Sequence, residues 1–471
     1  MRPLLIVLLA LAMPTATPAA EGPNVVLIFC DDLGYGDLGC YGSKVNPTPN
    51  LDRMAAEGAR FTDFYVSSAV CSASRSALLT GAYHERLGIR GALGPKDRKG
   101  LNHAETTVAE ILGAKGYATG MAGKWHLGCR PSQSPIHHGF DEFLGTPYSN
   151  DMWPGDPVRP NANHPSLPLI EGDRPLIADV KADDQRGLTG RYADRAVDFI
   201  RRHKDRPFFF YLAPNMPHVP LFASKAFEGK TGRGVYADVV AEIDATVGRI
   251  LATLKELDLD KKTLVLFSSD NGPWLVYGDH GGSAEPLREG KGTSYEGGVR
   301  VPMIARWPGH VPAGSTVREP AATIDVLPTL AALAGASLPA LPVDGKDLSA
   351  VLLGQPGAKS PHDALFFYYG NDQLQAMRSG RWKLQFPHTS QTMAGQEVGH
   401  GGKPGKYRQV PVGLELYDLE ADLGETHNLA TARPEVVRDL QAKADAIRSE
   451  LGDNLTKTVG TAVRPAGMAE D

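Results

Sequence analysis

Cysteine is scarce in this sequence: 471 residues carry 4, at Cys30, Cys40, Cys71 and Cys129. A fold stapled by many disulfides is excluded, and if Cys71 is consumed chemically the other three allow at most one intramolecular bridge. An excess of basic charge is missing too. Lys and Arg total 49 against 54 Asp and Glu, a formal net charge of -5, which argues against a nucleic-acid binder with a basic face. Any grip on an anionic substrate must be local, because the overall field does not supply it. Internal repeats are absent, and beyond the first residues no apolar run is long enough to cross a bilayer.

The N-terminus does hold one apolar stretch. Arg2 precedes Leu4 to Met13, and small residues follow at Thr15, Ala16, Thr17, Ala19 and Ala20. That order reads as a signal peptide over residues 1–20, cut near Ala19 or Ala20. The stretch is short for a bilayer span, and no Cys near the cut offers a lipid anchor. Export to a periplasm or the medium is expected, with no stable membrane insertion.

Three apolar runs, 24–29 (NVVLIF), 207–213 (PFFFYLA) and 263–268 (TLVLFS), have the character of buried parallel strands. Helical patterns lie between them at 50–57, 107–115, 190–203 and 236–257. The last places Val239, Ile243, Val247, Ile250, Leu251 and Leu254 at helical spacing. Strands alternating with helices predict an α/β fold, a large and mostly parallel sheet sandwiched by helices. Residues 148–182, rich in Pro, Asn and Asp, read as surface loop. A further helix is expected over 325–334, stopped by Gly335. Pro and Gly near 354–361 suggest a boundary, dividing a catalytic domain at 21–358 from a smaller α+β subdomain at 359–471. In that subdomain, strand-like runs at 364–369, 382–386 and 415–419 and an amphipathic helix at 434–451 predict a small antiparallel sheet plus helix. The Gly-rich segment 390–406 is expected to be mobile.

In open α/β sheets ligands bind outside the carboxyl ends of the strands. Asp31 and Asp32 follow the first run, Asn215 and His218 follow PFFFYLA, and Asp270 and Asn271 follow TLVLFSS. If these ends meet, three carboxylates and an amide converge, and packed carboxylates need a cation. Hard oxygens select Ca2+ or Mg2+ over zinc, and four protein ligands favour Ca2+. In Cys71-Ser-Ala-Ser-Arg75-Ser-Ala-Leu-Leu-Thr-Gly81, Ser72 or Ser74 is expected to cap a helix ending at Gly81. Cys71 then sits at a helix N-terminus that favours an anion, with Arg75 one turn on. On these grounds Cys71 is at most a low-pKa thiol, or simply a small buried residue. Lys124 and His126, in GKWHLG, share one face of an extended chain, with Trp125 turned into packing. A Lys beside a His suits an anion and a proton transfer. Lys291 lies between glycines that let the backbone approach a ligand.

Taken together, NVVLIFCDDLGYGDLGCYG, the Cys-x-Ala-x-Arg signature with Leu-Thr-Gly, GKWHLG, DNG and GKGTSYEGGVRVP resemble the type I sulfatases of the alkaline phosphatase superfamily. The resemblance runs from about Asn24 to Trp307, with a similar tail at 415–429, and is nearest to the arylsulfatase A and N-acetylgalactosamine-6-sulfatase group. It implies an alkaline phosphatase-like fold and a sulfuric ester hydrolase acting on a sulfated carbohydrate or aryl sulfate. Cys71 would be oxidised by a maturation enzyme to Cα-formylglycine, whose hydrate is the nucleophile; Ala73 stands where Pro is commoner. Asp31, Asp32, Asp270 and Asn271 would bind Ca2+ together with residue 71. Arg75 would stabilise the hydrate, while Lys124, His126, His218 and Lys291 would contact the sulfate or leaving group. Ser149, in TPYSND, matches a weaker motif for substrate binding. Three other readings compete. One is a phosphodiesterase or phosphonate monoester hydrolase using the same aldehyde. A second is a non-catalytic carbohydrate-binding protein with Cys71 unconverted. The third, a plain thiol hydrolase, has no need of a hard-cation cluster.

Overall fold

The computed structural model describes residues 22–470, so the expected signal peptide lies outside the described residues. Ten strands form the main sheet: β1 (Asn24–Cys30), β2 (Ala59–Phe61), β3 (Ala118–Lys124), β4 (Glu142–Thr146), β5 (Leu169–Glu171), β6 (Arg174–Ile177), β7 (Phe208–Ala213), β8 (Thr263–Ser269), β9 (Met303–Arg306) and β10 (Ser315–Val317). Their order is β10-β2-β9-β8-β1-β7-β3-β4-β5-β6. The central block β8-β1-β7-β3-β4 is parallel throughout, and antiparallel pairings flank it. The sheet is therefore mixed and mostly parallel at its centre, as expected.

Side-chain alternation along the strands builds two cores. Val26, Ile28 and Cys30 of β1, with Phe208, Phe210 and Leu212 of β7, pack under helices α4 (Leu188–Arg202) and α5 (Val235–Glu256). Val25, Leu27 and Phe29, with Phe209 and Tyr211, face the other way. They meet α2 (Cys71–Thr80), α3 (Val108–Ala114) and α6 (Val326–Leu333). Helix α1 (Pro49–Ala56) packs beside α5 on the first face. Both faces of the sheet are covered, which is why its central strands read as continuous apolar runs.

A four-stranded antiparallel sheet follows, β11 (Leu365–Tyr369), β12 (Gln373–Ser379), β13 (Trp382–Gln385) and β14 (Glu415–Asp418). Helix α7 (Pro434–Leu451) packs on it. Leu365, Phe367 and Leu374 share one apolar core with Leu327 and Leu330 of α6, so the main sheet's packing continues into this region.

Two segments differ from their sequence reading. Residues 148–182 are not simply loop: they contain β5 and β6, and Tyr148, Ser149, Asp151 and Trp153 are buried. The Gly-rich 390–406 segment is held in place. His388–Thr392 pairs with Arg408–Val412, and the N–H groups of Gly399 and Gly405 donate to Val276 O at 2.9 and 2.8 Å.

Candidate active site

Five parallel strands end at one edge of the sheet, and each delivers a side chain to the same place. Asp31 and Asp32 follow β1, Asp270 and Asn271 follow β8, His218 follows β7, Lys124 ends β3 and Ser149 follows β4. All are buried. Cys71 opens α2, and its Sγ lies 3.4 Å from Asp31 Oδ1 and 3.6 Å from Lys291 Nζ. Ligand-type atoms of Asp31, Asp32, Cys71 and His218 all fall within 4.8 Å of one another.

Charges alternate through the cluster. Lys124 Nζ donates to Asp31 Oδ2 at 2.6 Å. Lys291 Nζ lies 2.8 and 2.9 Å from the two oxygens of Asp32. Arg75 forks onto Asp270 Oδ2 at 3.0 and 2.7 Å, and its terminal nitrogen lies 3.6 Å from Asp31. Asp270 Oδ1 accepts from the Asp32 N–H at 3.1 Å, and Asn271 Nδ2 donates to Asp32 Oδ1 at 2.7 Å. Burial would raise Asp31, but Lys124, His218 and Arg75 hold it well below the usual carboxylate range. Asp270 is raised to about 7 by burial and the charge of Asp31, against the pull of Arg75. Asn271 Oδ1 is buried without a hydrogen-bond partner.

Helix α2 departs from its sequence reading at the N-terminus. Val70 is the cap residue and no side chain caps the helix. Ser72 and Ser74 lie inside it, Ser72 Oγ accepting from the Leu93 N–H at 3.0 Å. Gly81 ends it in the left-handed region, at φ 70°, as expected. A low-pKa thiol is not what results: burial, then Asp31, pushes the Cys71 thiol well up. The helix end favours an anion, but a desolvated sulfur facing a carboxylate outweighs it.

Lys124 and His126 are not two residues of one extended chain. Lys124 ends β3, Trp125 is buried with its Nε1–H donating to Gln133 O at 2.9 Å, and His126 takes a left-handed φ of 59°. His126 Nε2 faces Leu93 O at 2.8 Å, which places its hydrogen there and leaves Nδ1, without a partner, as the lone-pair nitrogen. Burial and Lys124 keep this ring neutral. His218 is the mirror case. Its Nδ1 faces Val219 O, and Nε2 stands 3.7 Å from Asp32 Oδ2. Burial and Lys291 lower it, while Asp32, Asp31 and Asp151 favour the charged form. Asn215 is brought to the same edge but is committed elsewhere, accepting from Tyr192 OH and donating to Thr146 Oγ1.

A cavity of about 490 Å³ opens over Cys71, His126, Ser149, His218 and Lys291. Its outer wall comes from residues the sequence did not single out: Asp151, Arg159, Trp274, Tyr277, Tyr369 and Tyr407. Lys291 Nζ sits 4.3 Å over the Trp274 ring, which also meets His218. Gln391, from the Gly-rich hairpin, donates to Lys291 O at 3.0 Å. A Trp or Tyr in a loop or at a strand end carries no signal of its own; these rings reach the cavity from separate segments of the chain.

The Sulfatase family profile matches residues 23–336, and the profile described as the C-terminal region of aryl-sulfatase matches 360–468. The chain belongs to the sulfatase family. Human arylsulfatase A is 45% identical over 461 residues, covering 92% of this chain and 89% of its own. Human N-acetylgalactosamine-6-sulfatase is 40% identical over 389 residues, 79% of this chain and 73% of its own. Among solved structures, the PsFucS1 sulfatase of Pseudoalteromonas sp. superposes with a TM-score of 0.81 at 27% identity, covering 95% of this chain and 92% of that one. The phosphonate monoester hydrolase of Agrobacterium radiobacter shares the fold, with a TM-score of 0.61 at 20% identity, covering 91% of this chain and 95% of that one. This sulfatase is an enzyme of sulfate-ester hydrolysis with an alkaline phosphatase-like sheet. Among the described residues, no helix is long and apolar enough to cross a membrane.

Proposed function

We propose that the sulfatase removes sulfate from a sulfated carbohydrate or aryl sulfate, using Cys71 oxidised to Cα-formylglycine beside a bound Ca2+. The observation that carries this reading is the position of Cys71, in contact with both Asp31 and Lys291 at the floor of the cavity. A thiol held protonated by burial is a poor nucleophile, which argues against an unmodified cysteine hydrolase. Cys71 is 2 % exposed, so the maturation enzyme must reach it before the chain folds. Export, with removal of residues 1–20, belongs to the same reading.

The donor set fits a hard cation. Asp31, Asp32, Asp270 and Asn271 offer oxygen, and the partnerless Asn271 Oδ1 is an atom such an ion would take. Three carboxylates already face three permanent cations, Arg75, Lys124 and Lys291. A dication would make the site net positive, matched to an anionic ester and not to a neutral one. When bound, Ca2+ would lower the pKa of a nearby hydroxyl and draw charge from a sulfuryl oxygen. Formylglycine would supply a hydrated aldehyde with two hydroxyls, one as a nucleophile toward sulfur and the other as the means of releasing sulfate.

The remaining roles fall to the chain's own groups. Lys124, Lys291 and the α2 N-terminus hold charge on the sulfuryl oxygens. Arg75 fixes Asp270 and steadies residue 71 from one turn along α2. Ser149 touches the substrate from the β4 side. His218 carries its hydrogen on Nδ1 at rest. A second proton on Nε2, made acidic by burial and Lys291, passes readily to the leaving alcohol. His126, neutral with Nδ1 bare, is the base for the release step. Paired kinetics on an aryl sulfate and a phosphate diester test the assignment: sulfate turnover should dominate, and preference for the diester would transfer the enzyme to the phosphodiesterase and phosphonate hydrolase class.

A further inference from the structure

The cavity's outer wall contains a carboxylate that the proposed chemistry does not use. Asp151 is 6 % exposed and lines the cavity. Its Oδ2 is held by Arg159, which also reaches Asp156 Oδ2 at 3.0 Å. Its Oδ1 is buried without a partner. Burial would raise the Asp151 carboxyl, but His218 and Arg159 hold it down; Ser149 stands close enough to help, yet its Oγ makes no hydrogen bond of ordinary geometry. An unpaired acceptor in such a position is costly unless a ligand brings a donor.

The surroundings narrow the donor. Arg159 answers two carboxylates, so the Asp151–Asp156–Arg159 group is net negative and repels a second anionic substituent on the substrate. Trp274 and Tyr277 stand edge to face at 4.9 Å and present ring surface on the same cavity. A pyranose offers an apolar C–H face for such rings and hydroxyl donors at its edge, whereas an aryl group offers the face without the donors. The volume, about 490 Å³, accommodates a sugar ring beyond the sulfate.

We propose that Asp151 accepts a hydrogen bond from a free hydroxyl of the leaving sugar, so that the pocket selects an uncharged sugar ring carrying a single sulfate ester. This rests on the sulfate-ester reading above and deepens it. The test is a ratio: kcat/KM for monosulfated hexoses divided by kcat/KM for 4-nitrophenyl sulfate, in the mature enzyme. Asp151→Ala should lower that ratio about ten- to a hundredfold. Asp151→Asn, which keeps the volume but turns an NH2 toward the cavity, should lower it too, covering the case in which the alanine variant does not fold. The wild type should lose a similar factor on one monodeoxy analogue of the preferred hexose sulfate, and Asp151→Ala should not distinguish that analogue from its parent. An unmoved ratio, with both substrates losing equally, overturns the proposal and leaves Asp151 a structural role. Wild-type enzyme that cleaves the aryl sulfate but none of the hexose sulfates also overturns it, while enzyme that cleaves neither overturns the sulfatase assignment itself.

Discussion

Cys71 Sγ lies 3.4 Å from Asp31 Oδ1, so the thiol at the head of α2 and the carboxylate at the end of β1 meet although 40 residues separate them. The contact joins a helix terminus to a sheet edge. Burial, and after it this contact, raises the thiol's pKa and so disfavours a thiolate at this position. Cys71→Ala is expected to fold with an unchanged far-ultraviolet spectrum and no turnover. Cys71→Ser should release at most one leaving alcohol per molecule and no free sulfate, because the serine–sulfate adduct has no second hydroxyl with which to expel sulfate. Sustained turnover by the serine variant, read by stopped-assay sulfate counting, contradicts the account.

The carboxylate cluster predicts a metal dependence. Thorough chelation should abolish activity, and Ca2+ should restore it better than Mg2+ or Zn2+. Asn271→Ala removes the partnerless Oδ1 and should raise the Ca2+ concentration for half-restoration about tenfold or more. Restoration at an unchanged concentration would place Asn271 outside the metal's ligands.

Lys291 lines the cavity, packed on Trp274 and paired with Asp32. Lys291→Ala should lower kcat/KM by roughly 10²–10³, the usual loss when one preorganised charge partner is removed from a transition state. Lys291→Arg keeps the charge but not the compact ammonium and should recover only part of it. Steady-state kinetics on an aryl sulfate decide this, with thermal unfolding as the control for folding.

Asp37 gives a stability prediction away from the catalytic groups. It is buried and accepts from the Gly34 and Ser283 N–H groups and from Tyr236 OH, yet burial lifts its pKa to about 7. The folded state therefore binds the proton more tightly than the unfolded chain. Asp37 costs little below the ordinary Asp value near 4, and its cost grows as pH rises to about 7. Asp37→Asn abolishes this titration. The variant's stability deficit should be largest near pH 4 and shrink by up to about 4 kcal/mol by pH 7. Denaturant unfolding across that range measures it, and a deficit independent of pH would contradict the assignment.

The parts of the fold that were legible in sequence are those with long apolar runs or a clear helical period. The β1, β7 and β8 runs are continuous apolar stretches, and Pro434–Leu451 carries a clear helical period. Strand β3, which delivers Lys124, was missed. Its sequence, ATGMAGK, is built from small residues because a Cβ at Gly120 would meet the Phe199 ring at 2.6 Å. The cluster of Asp31, Asp32, Cys71, Arg75, Lys124, His218, Asp270, Asn271 and Lys291 was legible because each stands next to a strand end or in a distinctive motif. Asp151, Arg159, Trp274 and Tyr277 were not. They reach the cavity through loop packing and through Arg159's ion pairs with Asp151 and Asp156, which no periodic pattern encodes.

The most direct test of the central claim is mass spectrometry of the proteolytic peptide spanning Cys71, taken from preparations of known specific activity. Loss of the sulfur, with an aldehyde that a hydrazine reagent captures, and a converted fraction that tracks activity from preparation to preparation, is the predicted result. A fully active preparation whose Cys71 is still a thiol, alkylated by iodoacetamide after unfolding, would contradict it.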